Sequence, residues 1–156
     1  MTINTAKVAG RRKLHFSCYQ DMLDDVHRLA AQPTRQLGNW SLDQVCQHLA
    51  GTLDLAIDGP SFKAPLYLRL IGPLVKKSML KRPMPPGYTV PSSATTLIPA
   101  PVGKVAGVAA LEKAVARLAQ NTERKSHPIF GRMNTTEWDQ FELRHAEMHL
   151  SFIVPA

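Results

Sequence analysis

The amino-acid sequence predicts an all-α fold, a four-helix bundle carrying a long proline-rich loop. Four stretches place apolar residues at helical spacing, and no stretch alternates strongly enough to require a sheet. The boundaries point the same way, because capping boxes open two of these helices and Pro or Gly-Pro stops close two. Long helices joined by loops bury their apolar stripes against one another, and a bundle is the arrangement that does so. With 156 residues, 44% of them hydrophobic, one domain over 1–156 is expected. A chain of that size needs neither disulfides nor a structural metal in order to fold.

Residues 1–14 read as a flexible N-terminal arm. The first helix is expected from about Ser17 to Ala31, with Tyr19, Met22, Leu23, Val26, Leu29 and Ala30 on one side and Asp21, Asp24, Asp25 and Arg28 on the other. Pro33 stands just past its end. The second opens at Ser41, with Gln44 at the reciprocal capping position, and runs through Val45, Leu49, Leu53 and Ile57 to Gly59-Pro60. Phe62 to Leu80 is apolar, but Pro65 and Pro73 predict a short or kinked segment rather than one straight helix.

Half of the 12 prolines fall between Pro83 and Pro101, with Ser92, Ser93, Thr95 and Thr96 among them. A loop of this length, taken as 83–103, reads as a lid, binding loop or docking arm, or else as a polyproline strap over the surface. The third clear helix is expected from about Val105 to Asn121, with Val108, Leu111, Val115 and Leu118 as its stripe. Asn134-Thr-Thr-Glu137 announces the fourth, which carries Trp138, Phe141, His145, His149 and Phe152 down one side.

Composition excludes several classes of function. No apolar run approaches the roughly 20 residues that a membrane span requires. Arg11-Arg12 is followed by no apolar region, so neither a secretory nor a twin-arginine leader is expected, and the chain reads as cytoplasmic, with no membrane partner. Cys18 and Cys46 have no metal-ligand spacing and read as reduced and packed. The net charge of +7 favours anionic partners, yet its clusters, Arg11-Arg12-Lys13, Lys76-Lys77, Lys81-Arg82 and Arg124-Lys125, read as scattered and lack interleaved aromatics. No specific nucleic-acid partner is expected, and the charge leaves open only a non-specific, salt-sensitive nucleic-acid binder.

The histidines carry a sharper signal. His145 and His149 are four apart, on one face of the last helix one turn from each other, so two imidazoles can reach one divalent ion. The motif His-Ala-Glu-Met-His lacks the Glu directly after the first His that metalloproteases carry. His48 lies mid-way along the second helix between Gln44 and Thr52, a polar stripe on an otherwise apolar element. Glu142 is on nearly the same face as His145 and His149, where it can orient an imidazole, act as a base or ligate. Glu147 points the opposite way and reads as a solvated charge. His15, His27 and His127 read as structural or surface positions, His127 being the one whose loop can reach the bundle mouth.

Trp40-Ser-Leu-Asp-Gln-Val-Cys-Gln-His48-Leu49, followed nearly a hundred residues later by His145-Ala-Glu-Met-His149, resembles the DinB/YfiT-like superfamily of four-helix-bundle metalloenzymes. Arg12-Lys-Leu-His-Phe16, His127-Pro-Ile-Phe-Gly131 and Glu137-Trp138 are similar to one branch of it, known as a domain of unknown function. The resemblance implies a divalent metal, zinc or nickel, held by His48, His145 and His149, and a small-molecule substrate. It also implies, for some relatives, a low-molecular-weight thiol such as mycothiol or bacillithiol as co-substrate. The function so implied is a metal-dependent hydrolase or thiol-dependent transferase with Glu142 as base or orienting group. The residues alone leave open a metal-free bundle that binds a ligand or a protein. Phe62 to Leu80 and the proline loop offer a surface for a homodimer.

Overall fold

A computed structural model of the chain describes residues 2–88, 90 and 93–156; Pro91 and Ser92 of the proline-rich loop lie outside the described residues. Among the described residues there are five α-helices, α1 (Tyr19–Ala30), α2 (Leu42–Asp58), α3 (Leu66–Lys81), α4 (Lys104–Gln120) and α5 (Thr135–Leu150), and two strands of three residues, β1 (Thr34–Gln36) and β2 (Ile153–Pro155). α1 and α2 each pack against both α4 and α5, which closes a ring of four helices around the core, and α3 lies outside the ring against α5. No helix among the described residues is long and apolar enough to cross a membrane.

The caps act as the sequence predicts. Ser41 with Gln44 and Asn134 with Glu137 form reciprocal capping boxes at the starts of α2 and α5. Gly59 stops α2 at φ +88°, a backbone conformation that costs other residues a clash at Cβ. α2 is buried on most of its circumference, because α4 and α5 flank it. A Cβ on Gly107 of α4 would lie 2.7 Å from Asp43 Cα, so the two helices cross there nearly backbone to backbone.

The segment from Phe62 to Leu80, expected to be short or kinked, is instead one continuous helix of 16 residues over most of its length. Pro65 is its N-cap, where no backbone N–H is needed, and Pro73 removes a single bond, to the carbonyl of Arg69. Both Arg69 and Pro73 are exposed, so water can satisfy that carbonyl.

The small antiparallel pair β1·β2 is the strand structure that periodicity did not foresee. Arg35 faces Val154, and Leu37 N donates to Phe152 O at 2.8 Å. Three residues are too few to show alternation, and only the return of the chain after α5 brings them together.

The segment before α1, read from the sequence as a flexible arm, makes contacts along its length: Ile3 exchanges two hydrogen bonds with the Asn39 side chain, and Arg11 bonds Ser151 Oγ. The Arg12 guanidinium forks onto both carboxylate oxygens of Asp25 at 2.7 Å and reaches the Ile153 and Leu150 carbonyls. This segment also covers the side of α5 that was expected to face solvent. Glu147 is therefore buried, accepting from Phe16 N at 2.5 Å and from Arg144 at 2.6 Å, and is not a solvated charge. Of the free cysteines, Cys46 is packed in the core, where burial pushes its thiol up to about 12. Cys18 is exposed, contrary to expectation, because it occupies the N-cap of α1, outside the apolar stripe.

Candidate metal centre

The polar stripe of α2 faces inward and meets α5 and the proline-rich loop. Each of its members has a partner. Gln44 Nε2 donates to Pro99 O at 3.3 Å, His48 Nδ1 lies 2.7 Å from Leu97 O, and Thr52 Oγ1 lies 2.9 Å from Glu142 Oε2. Asp43, one residue before the stripe, accepts from Val102 N and Gly103 N, both at 2.9 Å. Burial disfavours the Asp43 carboxylate, but bonds from Ser41, Val102 and Gly103 outweigh it and hold the carboxyl below its usual range. Asp43, Gln44 and His48 thus tie the loop across one end of the bundle. Sequence reading missed Asp43 in this role, since an acidic residue in a first helical turn has an ordinary reason to be there.

His48 comes from α2 and His145 and His149 from α5. Their Nε2 atoms converge: His48 to His145 is 3.3 Å and His149 to His145 is 2.9 Å. The Leu97 carbonyl accepts only, so His48 carries its proton on Nδ1 and presents an Nε2 lone pair to the other two rings. Trp40, just before α2, stacks on His149 with ring centroids 5.2 Å apart and also packs on His48. The three nitrogens fit a divalent metal. Two nitrogens bound at about 2.1 Å to one tetrahedral ion lie about 3.4 Å apart, and octahedral angles bring them to about 3.0 Å. Hydrogen bonds among the rings cannot match all three atoms, because His48 has already spent its proton on Leu97.

Burial favours the neutral imidazoles that metal binding requires. It lowers His48 to about 3, with the neighbouring His145 adding to the effect and the Leu97 bond opposing it. His149 is held well below its usual value, again by burial first and then by His145, His48 and Arg11. Two further buried atoms are left without partners, His145 Nδ1 and Glu142 Oε1. Glu142 Oε2 stands 3.8 Å from His145 Nδ1, on the outer side of the ring whose Nε2 points at the other histidines. A carboxylate behind a ligating imidazole is the usual means of fixing its tautomer and orientation.

The cluster lies at the wall of a cavity of about 350 Å³. α3 contributes Leu68, Ile71, Val75 and Met79, the loop contributes Met84, Tyr88 and Leu97, and the turn before α5 contributes His127 to Phe130. Apart from the histidines, Thr52 and Glu142, the side chains facing it are almost all apolar. His127 is placed as its sequence position allowed, at the bundle mouth. Its Nδ1 accepts from Ile129 N and Phe130 N, both at 3.1 Å, so its proton is on Nε2. Its ring stacks on Phe130 and meets the edge of Phe141. Burial lowers it to about 3, helped by His145, so it stays neutral and has one N–H to offer. His15 and His27 are elsewhere, paired at the surface with Arg144 and Glu112.

A family model described as protein of unknown function (DUF1569) matches residues 8–156. The chain belongs to this family. No curated protein and no solved structure matches it. The DUF1569 match takes in His48, Glu142, His145 and His149, and with them His127 and the loop that His48 holds. In this DUF1569 chain the three-histidine group can hold a metal ion.

Proposed function

We propose that this chain is a metal-dependent enzyme of the DinB/YfiT-like type, acting on a small, largely apolar molecule by hydrolysis or by transfer to a low-molecular-weight thiol. His48, His145 and His149 would hold the ion, zinc or nickel. The observation that carries the reading is the convergence of three Nε2 atoms at the wall of an apolar cavity that also holds one buried carboxylate. When bound, a divalent metal supplies Lewis acidity: it lowers the pKa of water to about 7, favours thiolate over thiol, and polarises a carbonyl.

The chain's own residues do the rest. Three protein ligands leave positions open, which is the pattern of a catalytic rather than a closed structural site. Glu142 would orient His145 through its Nδ1 or accept a proton from a group in the cavity. Thr52 donates to the same oxygen, Oε2, which stands 3.8 Å from His145 Nδ1, and Oε1 is left without a partner. His127 offers a neutral Nε2–H, the kind of donor that holds a substrate oxygen where negative charge develops. The apolar walls exclude water and select against charged substrates.

The test is metal analysis of protein purified without a histidine tag, beside the triple His48→Ala, His145→Ala, His149→Ala variant. A stoichiometric divalent metal in the native chain and none in the variant is expected. Equal content in both would contradict the reading.

A further inference from the structure

Among the described residues, none covers the outward face of α3. Leu66, Leu70 and Leu74, spaced four apart, form one stripe and are 66%, 66% and 83% exposed. Tyr67 and Ile71 lie beside them at 62% and 51%. Lys77 and Lys81 continue the same arc toward the C-terminal end of the helix, since 100° per residue sets them between Leu66 and Leu74 around the axis. A contiguous apolar stripe of this kind marks a surface that something covers.

The charge of the chain says what. Between Asp58 and Glu112 the sequence has no acidic residue, and it has Lys63, Arg69, Lys76, Lys77, Lys81, Arg82 and Lys104. The remaining residues hold 12 basic and 12 acidic side chains, so the whole net charge of +7 resides in the stretch between Asp58 and Glu112. Six of its seven cations lie in α3 and its flanking loops, and the seventh, Lys104, is at the start of α4. Among the described residues only Lys76 of these cations is paired with a carboxylate, that of Glu137 at 2.8 Å. The excess is therefore concentrated, not scattered as the sequence clusters suggest.

We infer that α3 docks the protein on an anionic lipid surface, with Leu66, Tyr67, Leu70 and Leu74 entering the interface and the flanking lysines and arginines meeting the headgroups. An apolar face bordered by cations, of which only Lys76 is paired with a carboxylate among the described residues, is the pattern of a helix that lies in the plane of a membrane. A second copy of the chain fits less well, because a two-fold contact would set one excess of +7 against another. Nucleic acid would leave the leucines against phosphates. The inner face of α3 lines the cavity, so the docked element is also the wall past which an apolar molecule would enter. The docking needs no metal at the histidines, and its failure would leave the metal reading standing.

The experiment is co-sedimentation of the native protein with vesicles of phosphatidylcholine alone and of phosphatidylcholine with phosphatidylglycerol. Binding is expected to the phosphatidylglycerol vesicles, to weaken with added salt, and to fall about tenfold or more in Leu70→Gln/Leu74→Gln and in Lys77→Glu/Lys81→Glu. These side chains are exposed, and unchanged circular dichroism would confirm that the variants fold. Absence of binding by the native chain, or binding that neither variant weakens, would overturn the inference. So would a dimer in sedimentation velocity that Leu70→Gln/Leu74→Gln dissociates, since the face would then be covered by a second copy.

Discussion

Two imidazoles in the cavity owe their tautomers to the backbone, and this is what makes them different chemical tools. His48 gives its Nδ1 proton to the Leu97 carbonyl and keeps a lone pair, whereas His127 takes two backbone protons on Nδ1 and keeps a donor. For His127 the folded value of about 3 lies below the ordinary value of about 6.5. The unfolded chain therefore binds the extra proton between those limits, and the stability contributed by the neutral ring is present above about pH 6.5 and lost as pH falls. Urea unfolding of metal-free protein should show this loss, and His127→Asn should make the slope shallower by up to about 1.4 kcal/mol per pH unit. An unchanged slope would mean that His127 is not held neutral. At this scale the sequence revealed the residues but not their protonation. The four-residue spacing of His145 and His149 and the stripe around His48 are local patterns. The carbonyl of Leu97 and the amides that fix His127 belong to loops, and no periodicity reports where a loop carbonyl will point.

Among the elements, α3 departs furthest from what its sequence suggests. Prolines at 65 and 73 argue against a continuous helix, but one is a cap and the other is exposed, so neither breaks it. Its seat is narrow: a Cβ on Gly72 would stand 2.2 Å from the Ile129 carbonyl oxygen. Gly72→Ala should therefore push α3 off the 127–131 turn and open the cavity. Faster proteolysis within 66–81 is expected, with the metal content unchanged, because His48, His145 and His149 lie on α2 and α5. The capped helices were legible because their boundaries are written in adjacent residues. The β1·β2 pair was not, since its register depends on where α5 delivers the chain.

For the molecule as a whole, one ion pair joins regions that are distant in sequence. Arg12 ties the N-terminal segment to Asp25 of α1 and to the carbonyls at the end of α5 and the start of β2. Burial disfavours the Asp25 carboxylate, but Arg12 and Arg28 outweigh it and hold the carboxyl below its usual range. Removing the guanidinium in Arg12→Met should cost about 2 kcal/mol in urea unfolding, because two carbonyls lose their donor and the Asp25 carboxylate keeps only Arg28. A loss within about 0.5 kcal/mol, as for an ordinary surface change, would show that the segment is not held. Net charge misled when read as clusters: the interval without acidic residues is visible in the sequence, but only the fold shows that it surrounds an exposed apolar face on α3.

The central claim is that three histidines from two helices share one ion. X-ray absorption at the metal edge, on protein purified without a tag, tests it most directly. Three imidazole nitrogens at about 2.0–2.1 Å are expected, reduced in number by His48→Ala alone. An edge spectrum with sulfur or oxygen ligands only, or one that His48→Ala leaves unaltered, would contradict it.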